Sequence, residues 1–130
     1  MKKLKRGDIL YPELSYRIVG IAFDIYNFLG PGYHEKYYQR ALAEELKNQR
    51  LAFQEEVPYS IIYKGKIIGR NYLDFLIDDK IIMEIKKGNH FSKRHIEQVL
   101  NYLKITKKKL AILINFGSYG VSFKRIINIY

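Results

Sequence analysis

The stretch Asn71–Gly88, NYLDFLIDDKIIMEIKKG, constrains the fold more than any other part of this chain. Two apolar runs flank the polar Asp78-Asp79-Lys80, a pattern that predicts a hairpin of largely buried strands. Asp74, Glu84 and Lys86 nevertheless stand inside those runs, among Leu, Ile, Phe and Met. A charge in that setting is costly unless it is paired, hydrogen-bonded or bound to a metal. The three residues therefore either face solvent or meet one another.

Strand side chains alternate between faces, so Ile82, Glu84 and Lys86 share one side while Ile81, Met83 and Ile85 share the other. On the preceding strand Asp74 is expected on one side with Tyr72 and Leu76. If Ile77 pairs with Ile81 across the turn, Asp74 falls opposite Glu84 and Tyr72 opposite Lys86. A slip of one residue would turn Asp74 to the wrong face. In that register the two carboxylates lie ~5 Å apart at Cβ with a lysine one step along. Each raises the other's pKa unless a cation joins them. Oxygen donors so placed suit Mg²⁺, which takes one or two carboxylates and keeps several waters. A divalent ion there would supply a water nucleophile at neutral pH, and the ammonium could orient it or offset phosphate charge. The competing reading is a solvated ion pair, Glu84 with Lys86 or Asp74 with Arg70, on a wet sheet face. Acid-x-Lys also occurs at Glu45–Lys47 and Asp78–Lys80, in a helical pattern and a turn, where both pairs are expected to be solvated.

The rest of the chain supplies elements to cover such a hairpin. A first helix is predicted from Pro12 to Phe28, with Leu14, Ile18, Ile21, Ala22, Ile25 and Phe28 as its core stripe. The run LGPGYHE interrupts it, and a second helix follows over His34–Gln49 with Tyr38, Ala41, Leu42 and Leu46 on one face. Phe53–Tyr63 and Lys66–Ile77 flank Lys64-Gly65 as a hairpin, and Pro58 marks the first of these as an edge or bulged strand. Ser92 caps a third helix to Thr106 that buries Ile96, Val99, Leu100 and Leu103. The run LAILINF suits a strand covered on both sides. VSFKRIINI is left open between a strand and a short helix. The order is α-α-β-β-β-α-β with an unassigned tail, an α/β (α+β) chain. The division is a basic N-terminal arm over 1–11, expected to be disordered, and a single domain over 12–130.

At 130 residues the chain suffices for one domain that buries roughly two-thirds of its unfolded surface. It has no cysteine, which excludes disulfides, thiolate chemistry and zinc–cysteine sites. No apolar run approaches a membrane span, and the charged opening MKKLKRGDILY lacks the apolar segment of a secretory signal, so a cytoplasmic address is expected. The net charge of +10, from 23 Lys and Arg against 13 Asp and Glu, favours a polyanionic partner, nucleic acid ahead of membrane. A basic surface with no ligand is the plain alternative.

The segment GYHEKYY carries Gly32, Glu35 and Tyr38 in Gly-x-x-Glu-x-x-Tyr spacing, and NYLDFLI, IIMEIK, QVLNYL and AILINFG follow in order. Together these resemble the GxxExxY protein family, which is similar to the PD-(D/E)XK nuclease superfamily, over about residues 12 to 128. The resemblance implies a restriction-endonuclease-like core, a mixed central sheet flanked by helices. It implies Asp74 and Glu84 as metal ligands together with the Ile85 carbonyl, and Lys86 as the residue that positions the attacking water and stabilises a phosphorane-like state. Glu35 matches a helix-borne glutamate that helps hold a metal or its water. Gln98 and Tyr102 match a Gln-x-x-x-Tyr motif on the helix after the lysine. On this resemblance the expected activity is Mg²⁺- or Mn²⁺-dependent hydrolysis of nucleic-acid phosphodiesters, DNA in preference to RNA.

Read without the resemblance, Glu35 suits a helix N-terminus, Gln98 a boundary position, and Tyr38 and Tyr102 packing positions with a hydrogen-bonded hydroxyl. Lys87, Lys93 and Arg94, with Tyr38 and Tyr102, are weaker candidates for contact with nucleic acid, and His95, one turn before Gln98, is a weaker one still. The alternative function is a catalytically silent nucleic-acid-binding or protein-docking module that keeps the nuclease fold. Small nucleases often pair to cut two strands, which admits a homodimer, but no interface is legible.

Overall fold

The computed structural model describes residues 10–130, so the arm expected over 1–11 lies outside the described residues as far as residue 9. Its last two positions, Leu10 and Tyr11, pack against the core, and the Leu10 carbonyl accepts a hydrogen bond from Arg125 at 2.6 Å.

Eight elements follow in chain order: α1 (Pro12–Leu29), α2 (Glu35–Asn48), β1 (Phe53–Tyr63), β2 (Lys66–Ile77), β3 (Ile81–Lys87), α3 (Lys93–Thr106), β4 (Leu110–Phe116) and β5 (Val121–Ile127). The segment left open between strand and helix is β5, paired antiparallel with β4. The sheet order is β1-β2-β3-β4-β5, mixed because β3 and β4 run parallel across the α3 crossover. Pro58 lies on edge strand β1, opposite Tyr72, on the kind of strand its missing N–H predicts.

Two apolar layers sandwich the sheet. On one face Ile18, Ile21, Ala22 and Ile25 of α1 and Tyr38, Leu42 and Leu46 of α2 pack on Phe75, Ile77, Ile81, Met83 and Ile85. On the other, Val99, Tyr102 and Leu103 of α3 pack on Leu76, Ile82, Ala111 and Leu113. β4, covered by both layers, is buried at all seven positions. Phe28 is 91% exposed, outside the stripe expected for α1, because the core-facing arc continues from Ile25 to Leu29, four residues on, and leaves Phe28 outside it.

The turns follow local chemistry. Lys64 and Gly65 both have positive φ, as a tight primed hairpin turn requires. Ser92 caps α3 by accepting from the His95 N–H at 3.1 Å. After β3, the Asn89 side chain accepts from the Ser118 N–H, tying that loop to the β4–β5 turn. Gly117 sits so close that a Cβ there would come within 2.6 Å of Asn89 Oδ1.

One departure from regularity positions the site. Glu56, in left-handed conformation at φ 48°, and Asp74 form no ladder pair although the pairs on either side, Glu55–Phe75 and Val57–Leu73, do. Phe53 and Phe75 lie on the α1/α2 side, yet Val57, Tyr59, Ile61 and Leu73 lie on the α3 side. The alternation of faces is therefore reset at Glu56 and Asp74, and the outer half of the β1–β2 ribbon folds over toward α3. Leu73, rather than the expected Tyr72, joins Leu76; Tyr72 is exposed.

Candidate active site

The register between β2 and β3 is Ile77–Ile81, Leu76–Ile82 and Phe75–Met83, the pairing that brings Asp74 opposite Glu84. The ladder then stops, and the two carboxylates take over the backbone bonds. Glu84 Oε1 accepts from the Asp74 N–H at 2.8 Å, and Asp74 Oδ2 accepts from the Ile85 N–H at 2.8 Å. Each acid thus satisfies a main-chain donor of the opposite strand where the strands part. Glu84 is 3% exposed, which rules out the solvated ion-pair reading of that residue. Burial, reinforced by the charge of Asp74, pushes its carboxyl up to about 9. Burial also raises Asp74, opposed by the Ile85 N–H, by Glu84 and by the charge of Lys86.

Such a pair is poorly satisfied by itself, and it fits a divalent cation: two oxygen donors in a desolvated cleft, held by backbone bonds, that resist joint ionisation. Among the described residues no three acidic or histidine side chains converge into a ready-made metal cluster. Glu35, the first residue of α2, lies within electrostatic reach of Asp74, but its Oε1 accepts from the Lys87 N–H at 2.6 Å. That bond ties the helix start to the end of β3.

Lys86 is half-buried on the Glu84 side of β3, and its charge acts on Asp74, on Glu84 and on His95 in the first turn of α3. Burial and then Lys86 hold the His95 imidazole below its ordinary value. Lys86 pairs in the parallel ladder with Asn115 of β4. Beneath the acids lies Tyr102, its hydroxyl raised by burial and by Glu84, hydrogen-bonded to Tyr59 and edge-on to that ring at 4.8 Å. Beside them a groove of about 640 Å³ runs between the folded-over ribbon and α3, with Tyr59, Asn71, Arg94, Gln98 and Asn101 in its walls.

The sequence profile of the PD-(D/E)XK nuclease superfamily matches residues 12–126. The chain belongs to the PD-(D/E)XK nuclease superfamily. Nucleases of this superfamily act on nucleic acid and generally use divalent metal ions. The crystal structure of SSO0001 superposes with a TM-score of 0.58 at 22% identity, covering 72% of this chain and 50% of that one. The chain thus spans about half of that protein's length. An alkaline exonuclease from Laribacter hongkongensis (LHK-Exo) superposes with a TM-score of 0.51 at 13% identity, covering 92% of this chain and 72% of that one. Both likenesses are of fold. Comparison with curated proteins found no significant match.

For a PD-(D/E)XK chain, the structure brings Asp74, Glu84, Lys86 and, at the margin, Glu35 to one end of the central strands. Gln98 is half-buried in the groove wall. Lys87, Lys93 and Arg94 are exposed, Lys93 beside Glu97 at 3.9 Å. Two expectations are corrected. Tyr38 is 1% exposed, stacked on Phe116 with 4.3 Å between centroids, and its hydroxyl donates to the Gly30 carbonyl at 2.7 Å. Tyr102 is 2% exposed. Neither ring presents a face to nucleic acid, because each fills core volume that a helix must bury. Two neighbours of the site went unassigned from sequence: Tyr59 and Asn115. Asn115 left a signal, as the one polar residue inside LAILINF; Tyr59 left none, because only the reset alternation carries it to the α3 side.

Among the described residues no helix is long and apolar enough to cross a membrane.

Proposed function

We propose that this protein is a divalent-metal-dependent nuclease of the GxxExxY type, acting on DNA in preference to RNA. The observation that carries this reading is the Asp74–Glu84 pair, desolvated and backbone-anchored where β2 and β3 part, with Lys86 beside it. Asp74, Glu84 and the Ile85 carbonyl would hold Mg²⁺ or Mn²⁺, with Glu35 assisting from the start of α2. When bound, the ion lowers the pKa of water and offsets phosphate charge. Lys86 orients the nucleophile and stabilises the charge that develops on the phosphoryl oxygens. Gln98 contacts the substrate from the groove wall, and Lys87, Lys93 and Arg94 track the phosphate backbone. The site works in the cytoplasm, and pairing of two chains would address both strands of a duplex.

Cleavage of single- and double-stranded DNA and RNA, with Mg²⁺, Mn²⁺ or EDTA, tests this. Expected is metal-dependent cleavage that falls by about 10²-fold or more in Glu84→Ala and in Lys86→Ala. Activity surviving both substitutions, or persisting in EDTA, refutes the assignment.

A further inference from the structure

Asn115 presents a problem that the proposed chemistry has not used. It is 1% exposed, and neither Nδ2 nor Oδ1 has a hydrogen-bond partner among the described residues. An amide buried without partners is costly, and an apolar residue of similar size would serve packing better. The six other residues of β4 are all apolar, so the strand gives no reason of its own for an amide there.

Its surroundings do. Ala111 and Leu113 point to the α3 side, and alternation places Asn115 on that side too, at the end of the strand. The parallel ladder sets it beside Lys86. His95, electrostatically coupled to Lys86 from the first turn of α3, also has a buried ring nitrogen, Nδ1, without a partner. An ammonium, a carboxamide and an imidazole, two of them unpartnered, thus gather around the end of β3 next to the acidic pair. All three supply N–H donors, a set suited to an oxyanion.

Resting on the nuclease reading, we propose that Asn115, with Lys86 and His95, forms a phosphate cradle that holds non-bridging oxygens of the nucleic-acid strand. The Asn115 amide donates to the phosphate alongside the Lys86 ammonium, its neighbour in the parallel ladder. His95 donates from Nδ1 in its neutral form. The acids and the cradle divide the work: the acids take the cation, and the cradle takes the anion.

The test uses the full chain in EDTA, so that no cleavage is needed. Binding of a fluorescein-labelled oligo-dT is followed by anisotropy, and thermal unfolding is measured on the same samples. Asn115→Leu keeps the volume and removes the unpartnered amide. Expected is oligo-dT binding weaker by about tenfold, with a Tm equal to or above that of the wild type. His95→Phe lowers affinity in the same way. A Tm that falls by several degrees in Asn115→Leu would show that the amide serves the fold, and unchanged oligo-dT affinity would show that it serves no anion; either overturns the proposal. In the second case wild-type binding leaves the nuclease reading standing. Failure of the wild type to bind any oligonucleotide, single-stranded or duplex, overturns both.

Discussion

Glu84 shows how much one residue can carry. Its ordinary carboxyl value of 4.5 is raised to about 9, by burial first and by Asp74 second. The folded chain therefore holds this proton more tightly than the unfolded chain. The associated stability is complete below the unfolded value, and is lost as pH rises through about 9. Glu84→Gln can keep the Asp74 N–H bond through Oε1 and carries no charge. Without divalent ions its Tm should match the wild type near pH 5 and exceed it increasingly toward pH 9, by about 2 °C or more. Calorimetry across that range checks this, and a difference independent of pH refutes it. Tyr38 makes the opposite case, an apparent motif residue whose hydroxyl serves the fold. Tyr38→Phe should cost about 1–2 kcal/mol in urea unfolding by stranding the Gly30 carbonyl. Oligonucleotide affinity should stay at the wild-type level in the same preparation.

Among elements, the β1–β2 ribbon departs furthest from what alternation predicts. Glu56 adopts a backbone conformation that costs a non-glycine residue roughly 1–2 kcal/mol. Glu56→Gly should raise the urea midpoint by the equivalent of about 1 kcal/mol, and Glu56→Val should lower it by at least as much. If the two variants unfold alike, the left-handed joint is not where the ribbon turns. This joint also marks the limit of what the residues disclosed. The Ile77–Ile81 register, the Ser92 cap, the turn at Lys64-Gly65 and the burial of β4 were legible, because each follows from neighbours in sequence. The strand identity of β5 was not: VSFKRIINI lies at a sheet edge with mixed polarity, and only β4 tells it what to be. The Asp74–Glu84 juxtaposition was legible as a condition on register. The carboxylates' replacement of the ladder beyond Phe75 and Met83 was not, since it depends on strands parting. Phe28 and Leu29 both stand at helical spacing from Ile25, and only the packing shows that Leu29 is the one that meets the core.

For the whole molecule, the excess of ten positive charges bears on association more than on folding. The affinity for oligo-dT should fall steeply with salt, and Arg94→Gln, at the groove, should lower the log–log slope by about 0.7–0.9 if that side chain meets one phosphate. A salt titration of both proteins by anisotropy decides it, and an unchanged slope removes Arg94 from the strand path. The three-layer arrangement keeps the acids on strands clamped from both faces, and the outer ribbon projects from them across a single joint. Residues added or removed in matched cross-strand pairs beyond the Ile61–Gly69 pair, where Ile62, Tyr63, Ile67 and Ile68 are exposed, would alter the reach of the ribbon and leave Asp74 and Glu84 where they are. The chemistry is anchored in the sheet, and the span over which the protein grips its substrate can be tailored independently of it.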